Sequence, residues 1–258
     1  MEIVFTKEED WLKKWDAFVI QEDKGSHLLF SDWVKSYQSY GFDYECCIGH
    51  INNTIVGGYA AVIAKALVFK FYIVPYGPIV SEGFENQLNE LIETVPKRAA
   101  YYNSCYCHVT VPFSMVSNKH IYNVLPGLFV LNNAKEGHLF KYVYSSNGLN
   151  WIDLKGFLDS ESKIATLHPS VRRNIRNSYR KGLVLEDMNT IEKLEKGYHI
   201  FLENSQLGNY TIREWNAIKK SLFALLDKGV LKMLGAYKNG ELKGAILLIE
   251  SGNSLLML

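Results

Sequence analysis

Two stretches decide the fold: IGHINNTIVGGYAAVI at Ile48–Ile63 and LGAYKNGELKGAILLI at Leu234–Ile249. Laid together without a gap, Gly49 falls on Gly235, Asn53 on Asn239, Val56 on Leu242 and Gly58 on Gly244. Each reads as two apolar strands around a tight turn, Asn52-Asn53 in the first and Asn239-Gly240 in the second. Asn-Gly between alternating apolar residues is the strongest short hairpin signal. Both copies follow two amphipathic helices and lead into a further apolar strand. A helix–helix–hairpin–strand unit that occurs twice predicts a tandem α/β (α+β) protein with one mixed, largely antiparallel sheet per half.

Outward from the first copy, Ile3–Phe5 reads as a strand and Glu8–Ile20 as a helix with Trp11, Trp15 and Phe18 on one side. Ser31 is placed as N-cap of the helix DWVKSYQSY, which Gly41 stops. Leu67–Val74 reads as a strand running into Pro75-Tyr76-Gly77-Pro78, which must leave the sheet. A helix over Phe84–Val95 and a strand over Tyr102–Val111 complete the half. Pro112–Asn150 is turn-rich, with strands expected at Tyr142–Tyr144 and Asn150–Leu154. These mark a division into domains 1–145 and 146–258. Past it, the pattern predicts helices over Asp159–Leu167, Ile191–Asn204 and Ile212–Lys228, and a strand at Leu183–Asp187. The first copy continues to Val111, whereas the second stops at Leu258 inside an apolar LLML run. By that comparison the second domain is incomplete and the sequence is expected to be C-terminally truncated.

With a formal net charge of +1, bulk nucleic-acid binding is disfavoured. The acidic N-terminus MEIVFTKEEDW is no signal peptide, and Lys65 and Lys70 break the longest apolar stretch, so no membrane-spanning segment is expected. Cys46, Cys47, Cys105 and Cys107 lack the spacing of a zinc site and read as buried, reduced thiols in a cytoplasmic protein; no metal is expected. Charge concentrates in one place, SVRRNIRNSYRKG at Ser170–Gly182. At helical period Arg172, Arg176 and Arg180 form one stripe and Val171, Ile175 and Tyr179 an apolar one beside it. A solvated basic face and a phosphate site both answer to that pattern. Its richness in Arg, whose planar fork matches phosphate oxygens, is the argument for the second, and the stretch by itself leaves both open.

Together, SDWVKSYQSYGF, TIVGG, IVPYGPIV, HPSVRRNIRNSYRKGLVLED and AYKNGELKGAILLI resemble the FemA/FemB/FemX family of peptidoglycan-bridge aminoacyltransferases, over nearly the whole chain and in the family's order. The resemblance implies two tandem GNAT-like (acyl-CoA N-acyltransferase fold) domains. It also implies transfer of an aminoacyl group from aminoacyl-tRNA to an amine of a UDP- or lipid-linked muropeptide precursor, with no cofactor beyond the donor. The inner membrane surface is a further partner it suggests. Under it, Lys35 and an arginine among Arg172, Arg173 and Arg176 would contact the precursor's diphosphate, and Tyr179 would stack on uracil or a sugar. Tyr76 stands where many relatives have a basic residue before Gly-Pro, and Glu82 is the candidate for the acid that follows, hence for a base. The helices after Ile191 leave no room for the coiled-coil arm of some relatives.

No Ser-His-Asp or Cys-His set is evident. His168 reads as a cap or packing residue, and catalysis is expected chiefly from positioning, with Asp43 and Glu45 as further base candidates beside Glu82. Two alternatives remain open. One is an acyl-CoA-dependent GNAT N-acyltransferase acting on a surface-polysaccharide sugar or an amino acid, with acetyl-CoA or another acyl-CoA as donor. The first half lacks the R-x-x-G-x-G/A loop that would hold its pyrophosphate, GPIVSEGF standing in that place. The other is a non-catalytic module binding tRNA or anionic lipid.

Overall fold

The computed structural model describes residues 1–111, 143, 152, 154–252 and 254–257. The expected division at 145/146 and most of the strands anticipated at 142–144 and 150–154 lie outside them.

The first half is built on β1 (Glu2–Thr6), β2 (Asp43–Ile51), β3 (Thr54–Ala66), β4 (Phe69–Val74), β5 (Ile79–Val80) and β6 (Tyr106–Val109). Their order is β1-β2-β3-β4-β6, antiparallel except for the parallel β4–β6 pair, and β5 returns to β3. Between β4 and β5 the chain leaves the sheet at Pro75–Pro78, as proline requires, with a cis Gly77-Pro78 bond. The second half holds β7 (Val184–Asp187), β8 (Leu231–Lys238), β9 (Glu241–Ser251) and β10 (Ser254–Met257), all antiparallel in the order β10-β9-β8-β7.

The two hairpins are the same object. Each turns on two residues of positive φ, Asn52-Asn53 and Asn239-Gly240, the type I′ geometry that suits right-handed strand twist. Each carries one bulge at the same place, with Val56 and Lys243 as the extra residues. Turn and bulge together place Asn52 on Asn239 and Gly57 on Gly244, one residue away from the gapless sequence match. Faces confirm the shift. Ala60 and Val62 share one buried cluster with their counterparts Leu247 and Ile249, whereas the gapless match would put them on opposite faces.

Helices α1 (Glu9–Gln21), α2 (Ser31–Lys35), α6 (Ile191–Leu207) and α7 (Trp215–Asp227) fill the space between those faces, contributing Trp15, Val34, Leu194 and Leu222 to the shared core. The opposite face of the first sheet buries Tyr59, Ala61 and Tyr72 under α3 (Leu88–Tyr101). That helix was expected to end at Val95. It runs through Pro96 because the proline lies on the exposed side while Leu91, Val95 and Ala99 keep burying below it.

Ser31 also departs from expectation. Phe30 is the N-cap, and Ser31 gives its N–H and hydroxyl to Asp16 at 2.8 and 2.7 Å. After Lys35 the helix tightens into a 3-10 turn, Ser36–Tyr40, which Gly41 closes at φ 72°. In the second half α4 (Ser160–Thr166) and α5 (Pro169–Arg180), the basic helix, precede β7. Of the four thiols only Cys46 and Cys47 are buried; Cys105 is exposed and Cys107 half-buried, because β6 lies at the sheet edge.

Candidate functional site

The most unusual side chain at the junction of the halves is Arg213. It sits on the loop before α7 and is 8% exposed. Its guanidinium lies 4.5 Å from the Trp33 ring and 4.4 Å from the Tyr37 ring, two residues that α2 and its 3-10 continuation place one turn apart. One nitrogen donates to Ser36 Oγ at 2.7 Å, and the Arg213 carbonyl accepts from the Tyr198 hydroxyl at 2.7 Å. No carboxylate pairs with it among the described residues. Two aromatic faces and one neutral hydroxyl are modest compensation for a buried cation.

Around it the wall is polar and tight. His27 stands edge-on to Trp33 at 4.5 Å, and burial, helped by the Arg213 charge, pushes its pKa down to about 3, so the ring is neutral. Trp33 Nε1 is buried and has no hydrogen-bond partner among the described residues. Below, Lys228 bridges Asp16 and Asp32, and the Ser221 hydroxyl donates to the Asp32 carbonyl. Burial raises the Asp16 pKa against the pull of Lys228 and Ser31. Lys228 is desolvated too, yet Asp16 and Asp32 outweigh that and hold its pKa up.

Lys35 lies one residue before Ser36, the partner of Arg213, with its side chain exposed; no hydrogen bond or ring contact among the described residues joins it to Arg213. The other residues singled out from sequence lie elsewhere. Tyr76 is buried in the core, where desolvation raises its pKa to about 12. Glu82 is exposed at the end of β5, next to Ser81, whose hydroxyl donates to Glu22 at 2.6 Å.

On α5 no residue is buried. Arg172 donates to the Ala165 carbonyl at 3.0 Å, Arg176 faces Glu161 at 3.6 Å, and Arg173, Val171 and Tyr179 are exposed. No hydrogen bond, ion pair or ring contact among the described residues joins this helix to Lys35, Tyr76 or Glu82. His168 caps α5, as expected, accepting from the Ser170 N–H.

Of the base candidates, Asp43 is paired with Lys7 at 2.6 Å. Glu45 is buried and fully engaged by Arg98, at 2.9 and 2.6 Å, and by the hydroxyls of Tyr72 and Tyr102. Sequence reasoning missed Arg213 because a lone arginine in TIREW carries no periodic signal. Its neighbours Glu214 and Trp215 look like an ordinary helix start.

Two sheets of this topology, each with its paired helices and repeated hairpin, define a FemAB-like tandem GNAT fold. FemX has it: its crystal structure superposes with a TM-score of 0.65 at 13% identity, over 96% of this chain and 58% of FemX. The chain thus spans less than two thirds of FemX's length. A conserved protein of unknown function from Bacteroides thetaiotaomicron superposes at 0.53, with 13% identity, over 96% of this chain and 75% of that one. No protein-family model and no curated protein matches the sequence.

Proposed function

We propose that the chain is a cytoplasmic acyltransferase that moves an aminoacyl group from aminoacyl-tRNA to an amine of a UDP- or lipid-linked muropeptide precursor, with no further cofactor. The FemX-like fold supports the acyl-transfer class. The observation that carries the acceptor is Arg213, a buried guanidinium with no carboxylate partner among the described residues, bonded to Ser36, the residue after the exposed Lys35. A diphosphate between the two would supply the missing counter-charge, and Arg213's rigid stacking would spare the cost of ordering it.

In the reaction the acceptor amine attacks the ester carbonyl and loses a proton, while the tRNA ribose hydroxyl departs and gains one. Holding both substrates supplies most of the acceleration. Glu82 keeps the part of candidate proton acceptor. The Arg172/Arg176 face, with Arg173 and Tyr179, competes with Arg213 for the diphosphate.

Calorimetry with a UDP-muropeptide separates them. Arg213→Lys keeps the charge but loses the planar fork and should weaken binding about tenfold or more. Arg172→Ala/Arg176→Ala should change it less than about threefold. The reverse pattern would return the site to the basic helix. Binding of acetyl-CoA with none of the muropeptide would overturn the aminoacyl reading.

A further inference from the structure

Among the described residues, hairpin turns place Asn or Gly at positive φ with one exception. Asn52-Asn53, Asn239-Gly240 and Gly252 supply residues at home at positive φ. The β3–β4 turn instead uses Leu67-Val68, with Leu67 at φ 55°, where a leucine costs about 1 kcal/mol or more. The side chains it presents are apolar and bare: Leu67 is 89% exposed, Val68 83% and Phe69 54%.

Directly beneath them Lys65 and Lys70 face each other across the strands, an arrangement that is unfavourable in water. Neither has an ion pair among the described residues. Three features that each cost free energy in an isolated soluble domain therefore coincide at one protruding point.

We propose that this tip is a wedge for an anionic lipid surface. Leu67 lies two residues beyond Lys65, so at strand rise the apolar tip extends about 7 Å past the lysine pair. That matches the roughly 5–10 Å to which interfacial apolar groups enter the headgroup–acyl boundary, and it leaves both ammonium groups at headgroup level. A narrow convex tip offers no wall for a folded partner to pack against, whereas lipid closes around it. The like-charged pair becomes favourable opposite anionic headgroups. The inference stands apart from the acyl-transfer reading.

Co-sedimentation of the 258-residue chain with phosphatidylcholine vesicles, with and without phosphatidylglycerol, tests it. Binding should require the anionic lipid. It should fall about tenfold or more in Leu67→Asn/Val68→Gly, which installs ordinary turn residues and leaves Tm unchanged or raised. Lys65→Gln/Lys70→Gln should also lower it about tenfold or more. An absence of binding to anionic vesicles, or full binding by the Leu67→Asn/Val68→Gly variant, would overturn the proposal. So would concentration-dependent dimerisation abolished by that variant without vesicle binding, which would make the tip a protein interface.

Discussion

The β2–β3 and β8–β9 hairpins share turn, bulge and the face they turn to the common core, yet their other faces differ. Tyr59, Ala61 and Ile63 are buried beneath α3, whereas their counterparts Ile246, Leu248 and Glu250 stay half-exposed. The glycines follow suit. A Cβ on Gly57 would lie 2.7 Å from the Ile79 carbonyl oxygen, while on the matching Gly244 it would meet nothing nearer than 4.0 Å. One backbone plan thus serves a sheet covered on both sides and, among the described residues, a sheet covered on one. Hairpin geometry is local chemistry; the burial of its second face is supplied by whatever packs there.

The sharpest test is a matched pair. Tyr59→Ala should cost about 4 kcal/mol, because it empties a fully buried site and leaves Thr94 without the 2.7 Å bond to the Tyr59 hydroxyl. Ile246→Ala should cost about 1 kcal/mol. Equal losses in urea denaturation would mean that the second sheet is as covered as the first.

Next comes the junction that makes the halves one body. Lys228→Met leaves Asp16 buried beside Asp32 without its cation and should cost about 2–3 kcal/mol at pH 7. The penalty should shrink toward pH 4, since the already raised Asp16 pKa lets the carboxyl take up a proton. A penalty independent of pH would place the loss in packing rather than charge.

The smallest effect is acid sensitivity at His27. Its folded pKa of about 3 lies below the unfolded value near 6.5, so the unfolded chain binds the extra proton first. Stability is then full above about pH 6.5 and falls as pH drops, by about 2 kcal/mol at pH 5. His27→Phe should flatten that slope, and denaturation midpoints at pH 7 and pH 5 measure it.

Much of this was legible in the sequence. Trp11, Trp15 and Phe18 announced α1, Asn239-Gly240 the second hairpin, and Pro75–Pro78 the break in the sheet. The repeat itself was visible, though offset by one residue. Letter matching rewarded Gly58 over Gly244, whereas backbone geometry pairs Gly57 with it. The proposed anion site is the hard part. Arg172 and Arg176 stand out because charge clusters are easy to see, and α5 buries no residue fully, with Arg172 and Ile175 half-buried. Arg213 is inconspicuous in sequence and becomes notable only once Trp33 and Tyr37 enclose it.

By itself, then, the sequence determined what depends on neighbours along the chain: periodicity, turns, caps and the duplication of a unit. The tertiary structure alone decided which hairpin face is doubly buried, that Asp16 meets Lys228, and that Arg213 reaches Ser36. The physical reason is range. Turn and helix preferences act over a few residues. The desolvation that makes Arg213 costly, His27 neutral and Asp16 dependent on Lys228 comes in large part from groups 177 to 212 positions away in the chain.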